Sequence, residues 1–175
     1  MKEQIVTIKQ KKDEKFLREK TKEFDIAKLK DKKQAKEIRE LIRKMREIMK
    51  QANGVGLSAN QIGIPERFFV AQVPDAQGYQ KFYAIFNPEI IKKSKQMETV
   101  EEGCLSVPEV YGPTERHYEV TLTGYDQRGR KLKIKAWGLL ARVFQHEVGH
   151  LNGELFIDIA KEVHQYILPE NTKKI

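Results

Sequence analysis

The stretch Gln145-His146-Glu147-Val148-Gly149-His150 carries two imidazoles four residues apart with a carboxylate between them. On a helix that spacing puts His146 and His150 on one face, about one turn apart, where both can bind one metal ion. Glu147 then lies beside the ion and can accept a proton from a water that the ion polarises, which is why the H-E-x-x-H spacing suits metal-assisted hydrolysis. Two histidines leave the set unfinished, because a catalytic metal usually keeps three protein ligands and one open position. In the pattern H-E-x-x-H-x-x-G-x-x-H, Phe156 stands where the third histidine is required, and a phenyl ring binds no metal. Glu170 has the spacing of a more distant carboxylate ligand but follows Pro169 near the terminus. His117 and His164 are further formal candidates, and Cys104 is the only cysteine.

The elements that must position these residues are legible in the hydrophobic period. From residue 138 apolar positions recur at helical spacing (Leu140, Val143, Phe144, Val148, Leu151), with Gly153 as a stop, so the H-E-x-x-H stretch falls in the second half of a buried helix. Ala35, Ile38, Leu41, Ile42, Met45, Ile48, Met49 and Ala52 mark an amphipathic helix, with Asp31 as its N-cap and Gly54 just past its end. Strands are expected over residues 67–73, 81–86, 89–93, 97–101, 118–125 and 131–137, with Asn87-Pro88 closing the second and a hairpin turn at 126–129. Residues 5–8 suggest a short strand, the segment to Lys22 shows no period, and a final helix is expected over 158–168. The glycine-bearing stretch 54–65 fits neither period and lacks the Lys and Ser/Thr of a phosphate loop.

Bulk properties narrow the class. A chain of 175 residues with 39% hydrophobic and 33% charged residues fits one folded domain, 1–175, without internal repeats. No apolar run approaches the roughly eighteen residues of a membrane span, and no secretory signal opens the chain, so a cytoplasmic protein is expected. The net charge of +8 lies wholly in residues 1–50, which hold 18 Lys/Arg against 10 Asp/Glu, while the remainder holds 15 of each. Such a basic half can face an anionic partner such as RNA, or be a solvated helix surface. One cysteine excludes an intramolecular disulfide.

Three stretches now stand in order: Gly54-Val55-Gly56-Leu57-Ser58-Ala59-Asn60-Gln61, Glu102-Gly103-Cys104-Leu105-Ser106 and Gln145-His146-Glu147-Val148-Gly149-His150, about forty residues apart. Together they resemble the three motifs of peptide deformylases, a likeness that runs from roughly Ile38 to Asp158. The resemblance implies an α+β fold in which antiparallel or mixed β-sheets wrap around a central metal-binding helix, with an N-terminal amphipathic helix. It implies a divalent metal held by Cys104, His146 and His150, typically Fe(II), with zinc or nickel able to replace it. The implied reaction is hydrolysis of the N-formyl group from the formyl-methionine of a nascent polypeptide, releasing formate. Glu147 would then be the proton carrier, with Gln61 and the backbone NH of Leu105 as donors to the oxyanion. Substrate would be bound by the Gly54, Val55 and Gly56 segment, by Glu102, and by a pocket of Val55, Val100, Leu139 and Val143. A monomer is expected, with transient ribosome contact through the basic N-terminal half.

Departures from the family pattern are equally specific. Gly149 stands where Asp is typical, removing a carboxylate near the histidines, and a glycine inside a helix costs up to ~1 kcal/mol. Asn60 replaces a frequent proline and Ser58 a frequent alanine. Residues Lys11-Lys12-Asp13-Glu14 replace a Pro-Asp-Pro turn, and six residues follow Pro169 where some relatives carry a basic helix. Two competing readings remain, a zinc endopeptidase using Glu170, and an inactive relative kept as an RNA- or ribosome-binding module.

Overall fold

Asp31 accepts a hydrogen bond from the Gln34 amide (2.8 Å) and so caps α2 (Lys32–Gln51), whose apolar stripe Ala35, Ile38, Ile42, Met45 and Met49 is buried. The computed structural model describes residues 5–75 and 77–165. The helix ends one step earlier than the position of Gly54 suggested. Asn53 takes the left-handed conformation (φ 55°), and the Gly54 amide reaches back to the Met49 carbonyl at 2.9 Å. Asn tolerates this region better than most residues, which is how it displaces glycine here.

Two antiparallel sheets follow. One has the order β1 (Gly56–Ser58), β2 (Phe68–Pro74), β3 (Gln80–Lys93), β6 (Glu119–Tyr125), β7 (Lys131–Trp137). The other has the order β4 (Met97–Cys104), β5 (Val107–His117), β8 (His164–Gln165). β2 explains how the larger sheet takes a helix on each face. Its side chains alternate, so Phe68 and Val70 join the core under α2 while Phe69, Ala71 and Val73 join the core under α3 (Gly138–Leu151). On the α3 side Ala141, Val143, Phe144, Val148 and Leu151 pack against Ile85, Val120, Leu122 and Ala136. Burying each such side chain stabilises the fold by roughly 1.5–3 kcal/mol, so α3 is firmly seated on this face of the sheet. A smaller cluster of Val107, Leu155 and Phe156 joins the second sheet to the chain beyond α3. The residue that cannot be a third imidazole ligand is therefore a core residue.

Several expectations need correction. Residues 81–86 and 89–93 are one strand, β3, because Asn87 adopts φ 46° and its amide group pairs with both backbone groups of Phe24 (2.8 and 2.9 Å), while the ladder to β6 absorbs the irregularity as a bulge. β5 was not expected at all; Pro108, Gly112 and Pro113 hide its period. Residues 5–8 join no ladder but are tied down by bonds from Val6 N to Gln61 O (2.7 Å) and from Ile8 N to Ser106 O (3.0 Å). A short helix α1 (Lys11–Leu17) follows, with Leu17 as its buried anchor. In place of the described part of the 158–168 helix there is a 3-10 turn (Phe156–Asp158) and then β8; residues 166–168, and Glu170, lie outside the described residues.

Candidate metal centre

The last two turns of α3 bring His146, Glu147 and His150 against the end of β4, where Cys104 stands. Cys104 Sγ lies 3.0 Å from His150 Nε2, and the ligand atoms of Cys104, His146 and His150 are all within 4.8 Å of one another. A thiolate and two imidazoles at this separation suit one divalent ion of nitrogen and sulfur preference, so the donor set fits a metal. Burial opposes charge on the thiol, but the two imidazoles overcome it and pull Cys104 well below the usual thiol range. Burial likewise opposes charge on His146, yet bonds to Cys104 and Glu102 push it up to about 10. Both shifts favour the charged pair, thiolate beside imidazolium, and a divalent ion held here would compete with the His146 proton.

Behind the ligands is a buried charge network that the sequence reading did not identify. Arg116 grips Glu102 with two bonds, Nε to Oε1 at 2.7 Å and Nη2 to Oε2 at 2.8 Å. Arg142 Nη1 reaches the same Oε1 at 2.6 Å and the Thr114 carbonyl at 3.0 Å. His146 Nδ1 lies 3.2 Å from Glu102 Oε2. Burial would raise the Glu102 carboxyl, but the bonds from His146 and Arg116 prevail and hold it at about 2. Because this carboxylate accepts from Nδ1, His146 presents Nε2 to the ligand position. Arg142 carried a signal: it is the one charged residue on the apolar N-terminal half of α3, one helical turn before His146. Nothing in the local sequence marks Arg116.

A cleft of about 450 Å³ opens beside the three donors. Its lining includes Gly54, Val55, Gly56, Gln61, Glu102, Leu105, Leu139, Val143, His146 and Glu147. His150 is 1% exposed and lies behind this surface, and Val100 departs from expectation: it does not line the cleft, sits mid-strand opposite Thr114, and is 41% exposed. Gln61 Oε1 accepts from the Ser58 amide (2.8 Å), which fixes the sense of the side-chain amide. Its Nε2 therefore faces Ser106 Oγ (3.0 Å) and Cys104 Sγ (3.7 Å). Glu147 is 3% exposed; burial raises its carboxyl, against the opposing pull of His146, His150 and the Ser58 hydroxyl. A buried carboxylate with a raised proton affinity, next to a metal position and open to a cleft, is equipped to carry a proton. A Cβ at Gly149 would meet Glu154 Oε2 at 3.4 Å and Glu154 Cβ at 3.7 Å, ordinary contact distances. His146 takes its carboxylate partner from β4, not from its own helix.

The family model for polypeptide deformylase matches residues 3–166. A peptide deformylase of Rhizobium meliloti is 41% identical over 139 residues, covering 78% of this chain and 79% of the relative. The crystal structure of the Thermotoga maritima peptide deformylase superposes with a TM-score of 0.78 at 34% identity, covering 93% of this chain and 99% of that one. A Met-Ala-Ser-bound class I type b peptide deformylase of Acinetobacter baumannii gives a TM-score of 0.78 at 29% identity, over 89% of this chain and 96% of that one. Among the described residues no helix is long and apolar enough to cross a membrane.

Proposed function

The chain belongs to the polypeptide deformylase family, and on that premise we propose that it hydrolyses the N-formyl group of N-terminal formyl-methionine in nascent polypeptides. The observation that carries the reading is the convergence of one thiol, two imidazoles and a buried carboxylate on one cleft. Cys104, His146 and His150 would hold a divalent metal, for which Fe(II) is our assignment. When bound, the ion supplies a Lewis acid that acidifies water and polarises the formyl oxygen.

The chain's own residues divide the remaining work. Glu147 takes the proton from the attacking water as its oxygen bonds to the formyl carbon. As the carbon–nitrogen bond breaks and its electron pair goes to nitrogen, Glu147 returns the proton to the departing amine. Gln61 Nε2 and the Leu105 backbone NH donate to the oxygen on which negative charge develops. Glu102, clamped by Arg116 and Arg142, fixes the His146 ring and with it one wall of the cleft. The backbone of Gly54, Val55 and Gly56 pairs with the extended peptide, and Leu139 and Val143 receive the methionine side chain. A thiolate ligand donates more charge than an imidazole and tempers the ion, at the expense of oxygen sensitivity if that ion is Fe(II).

We infer further that the chain acts as one cytoplasmic domain and as a monomer. The solvent face of α2 exposes Lys32, Lys33, Lys36 and Lys44, which supports transient contact of the basic N-terminal half with ribosomal RNA. The test of the reaction is formate release from formyl-Met-Ala-Ser by metal-loaded protein; salt-dependent RNA binding with no formate release would instead favour a non-catalytic role.

A further inference from the structure

Two buried polar side chains of one turn have no role in the mechanism above. Ser58 precedes the 3-10 turn Ala59–Ile62 and Asn60 lies within it; they are 0% and 1% exposed. Ser58 Oγ donates to Glu147 Oε2 at 2.6 Å and lies 3.1 Å from the Glu147 carbonyl. Asn60 Nδ2 donates to the His150 carbonyl at 2.7 Å. The turn thus touches α3 at two points three residues apart, one on the proton carrier and one on a metal ligand.

The two ligand imidazoles are secured differently. His146 has its Nδ1 held by Glu102, the usual way in which a second partner fixes a ligating ring. His150 Nδ1 is buried and has no such partner among the described residues, so on the side away from Cys104 the ring is placed through its backbone. That backbone lies at the C-terminus of α3, where carbonyls lack partners within the helix. The His150 carbonyl receives the Gly153 amide (3.1 Å) and the Asn60 side chain. Asn60 is thereby the side-chain tether of a ligand whose ring Nδ1 has no partner among the described residues. Ser58 is the corresponding tether of Glu147, whose other oxygen packs on the α-carbon side of Gly56.

We propose that Ser58 and Asn60 are positioning residues of the hydrolytic site, Ser58 setting the orientation of the Glu147 carboxylate and Asn60 setting the placement of His150. This rests on the deformylase reading, and the test separates the two. Ser58→Ala, Asn60→Ala and the double variant are compared with wild type by chelator competition for Zn(II), by the visible spectrum of the Co(II) form, and by kcat and KM on formyl-Met-Ala-Ser. Asn60→Ala raises the Zn(II) Kd about ten-fold and shifts the Co(II) bands, in line with losses at residues that support metal ligands. Ser58→Ala keeps the Zn(II) Kd within about two-fold of wild type and lowers kcat about ten-fold with little change in KM, as expected for a misaligned proton carrier. Asn60→Asp and Ser58→Gly replace any alanine variant that fails to fold. The proposal is overturned if the variants lower the melting temperature alone, with metal affinity, Co(II) spectrum and kcat retained. If metal-loaded wild type releases no formate, the deformylase reading and the Ser58 half fail together, and the metal-affinity and Co(II) measurements decide the Asn60 half.

Discussion

Adding one methyl group at Gly56 should disable the site and leave the fold almost untouched. A Cβ there would lie 2.2 Å from Glu147 Oε1, 2.8 Å from its Cδ and 3.1 Å from its Cγ. Carbon and oxygen need about 3.5 Å, so the carboxylate must retreat by roughly 1 Å or more. Glu147 is a long side chain and can swing away, so the stability cost is that of the 2.6 Å bond to Ser58, about 1 kcal/mol. The catalytic cost is larger, since a displacement of ~1 Å at the reacting group is worth about a hundred-fold in rate. Formate release by metal-saturated Gly56→Ala, with urea unfolding alongside, measures both. The reasoning fails if the variant retains kcat within three-fold of wild type, or if it loses more than about 3 kcal/mol of stability.

Glu102→Ala strips the shared carboxylate from two buried guanidinium groups and should cost about 3–5 kcal/mol in urea unfolding, a loss under about 1 kcal/mol refuting the network. In metal-stripped protein the Glu102 carboxyl is held at about 2 against an ordinary 4.5, so its stabilisation is complete above pH 4.5 and lost as pH falls toward 2. Wild type minus Glu102→Gln should show that slope, of order 3 kcal/mol, and equal slopes would contradict it. Gly149→Ala should raise stability by up to ~1 kcal/mol, because the helix gains propensity and the added Cβ meets Glu154 at ordinary contact distance; a lower melting temperature would count against this. Cys104→Ser should abolish tight metal binding and Glu170→Gln should leave it intact, as read by chelator competition; the reverse result would revive an endopeptidase.

The metal helix and α2 were legible because both are long and periodic, with a side-chain cap at Asp31 opening α2 and a left-handed glycine at Gly153 just past the end of α3. The strands were legible where one face is dry, as in β7. They were lost where long-range pairing overrides the local signal: Asn87-Pro88 reads as a terminator, yet the chain continues through it because Phe24, sixty-three residues away, supplies both bonds its amide needs. The site showed the same division. His146, Glu147 and His150 announce themselves by spacing on one helix. Cys104 emerged through the resemblance, and the three atoms prove to lie within 4.8 Å of one another. Arg116, Ser58 and Asn60 act only across the fold, at chain separations of 14, 89 and 90 residues, where no period reaches.

Glu147 moving a proton in metal-assisted cleavage of a formyl group is tested most directly by one comparison. Protein loaded with Fe(II) in anaerobic buffer is given formyl-Met-Ala-Ser, and formate is measured for wild type and for Glu147→Ala at matched metal content. Wild type should release formate and Glu147→Ala should fall by about 10²–10⁴-fold, the range for loss of a positioned acid–base group. A fully metallated wild type that releases no formate, or a Glu147→Ala variant that works at the wild-type rate, would contradict it.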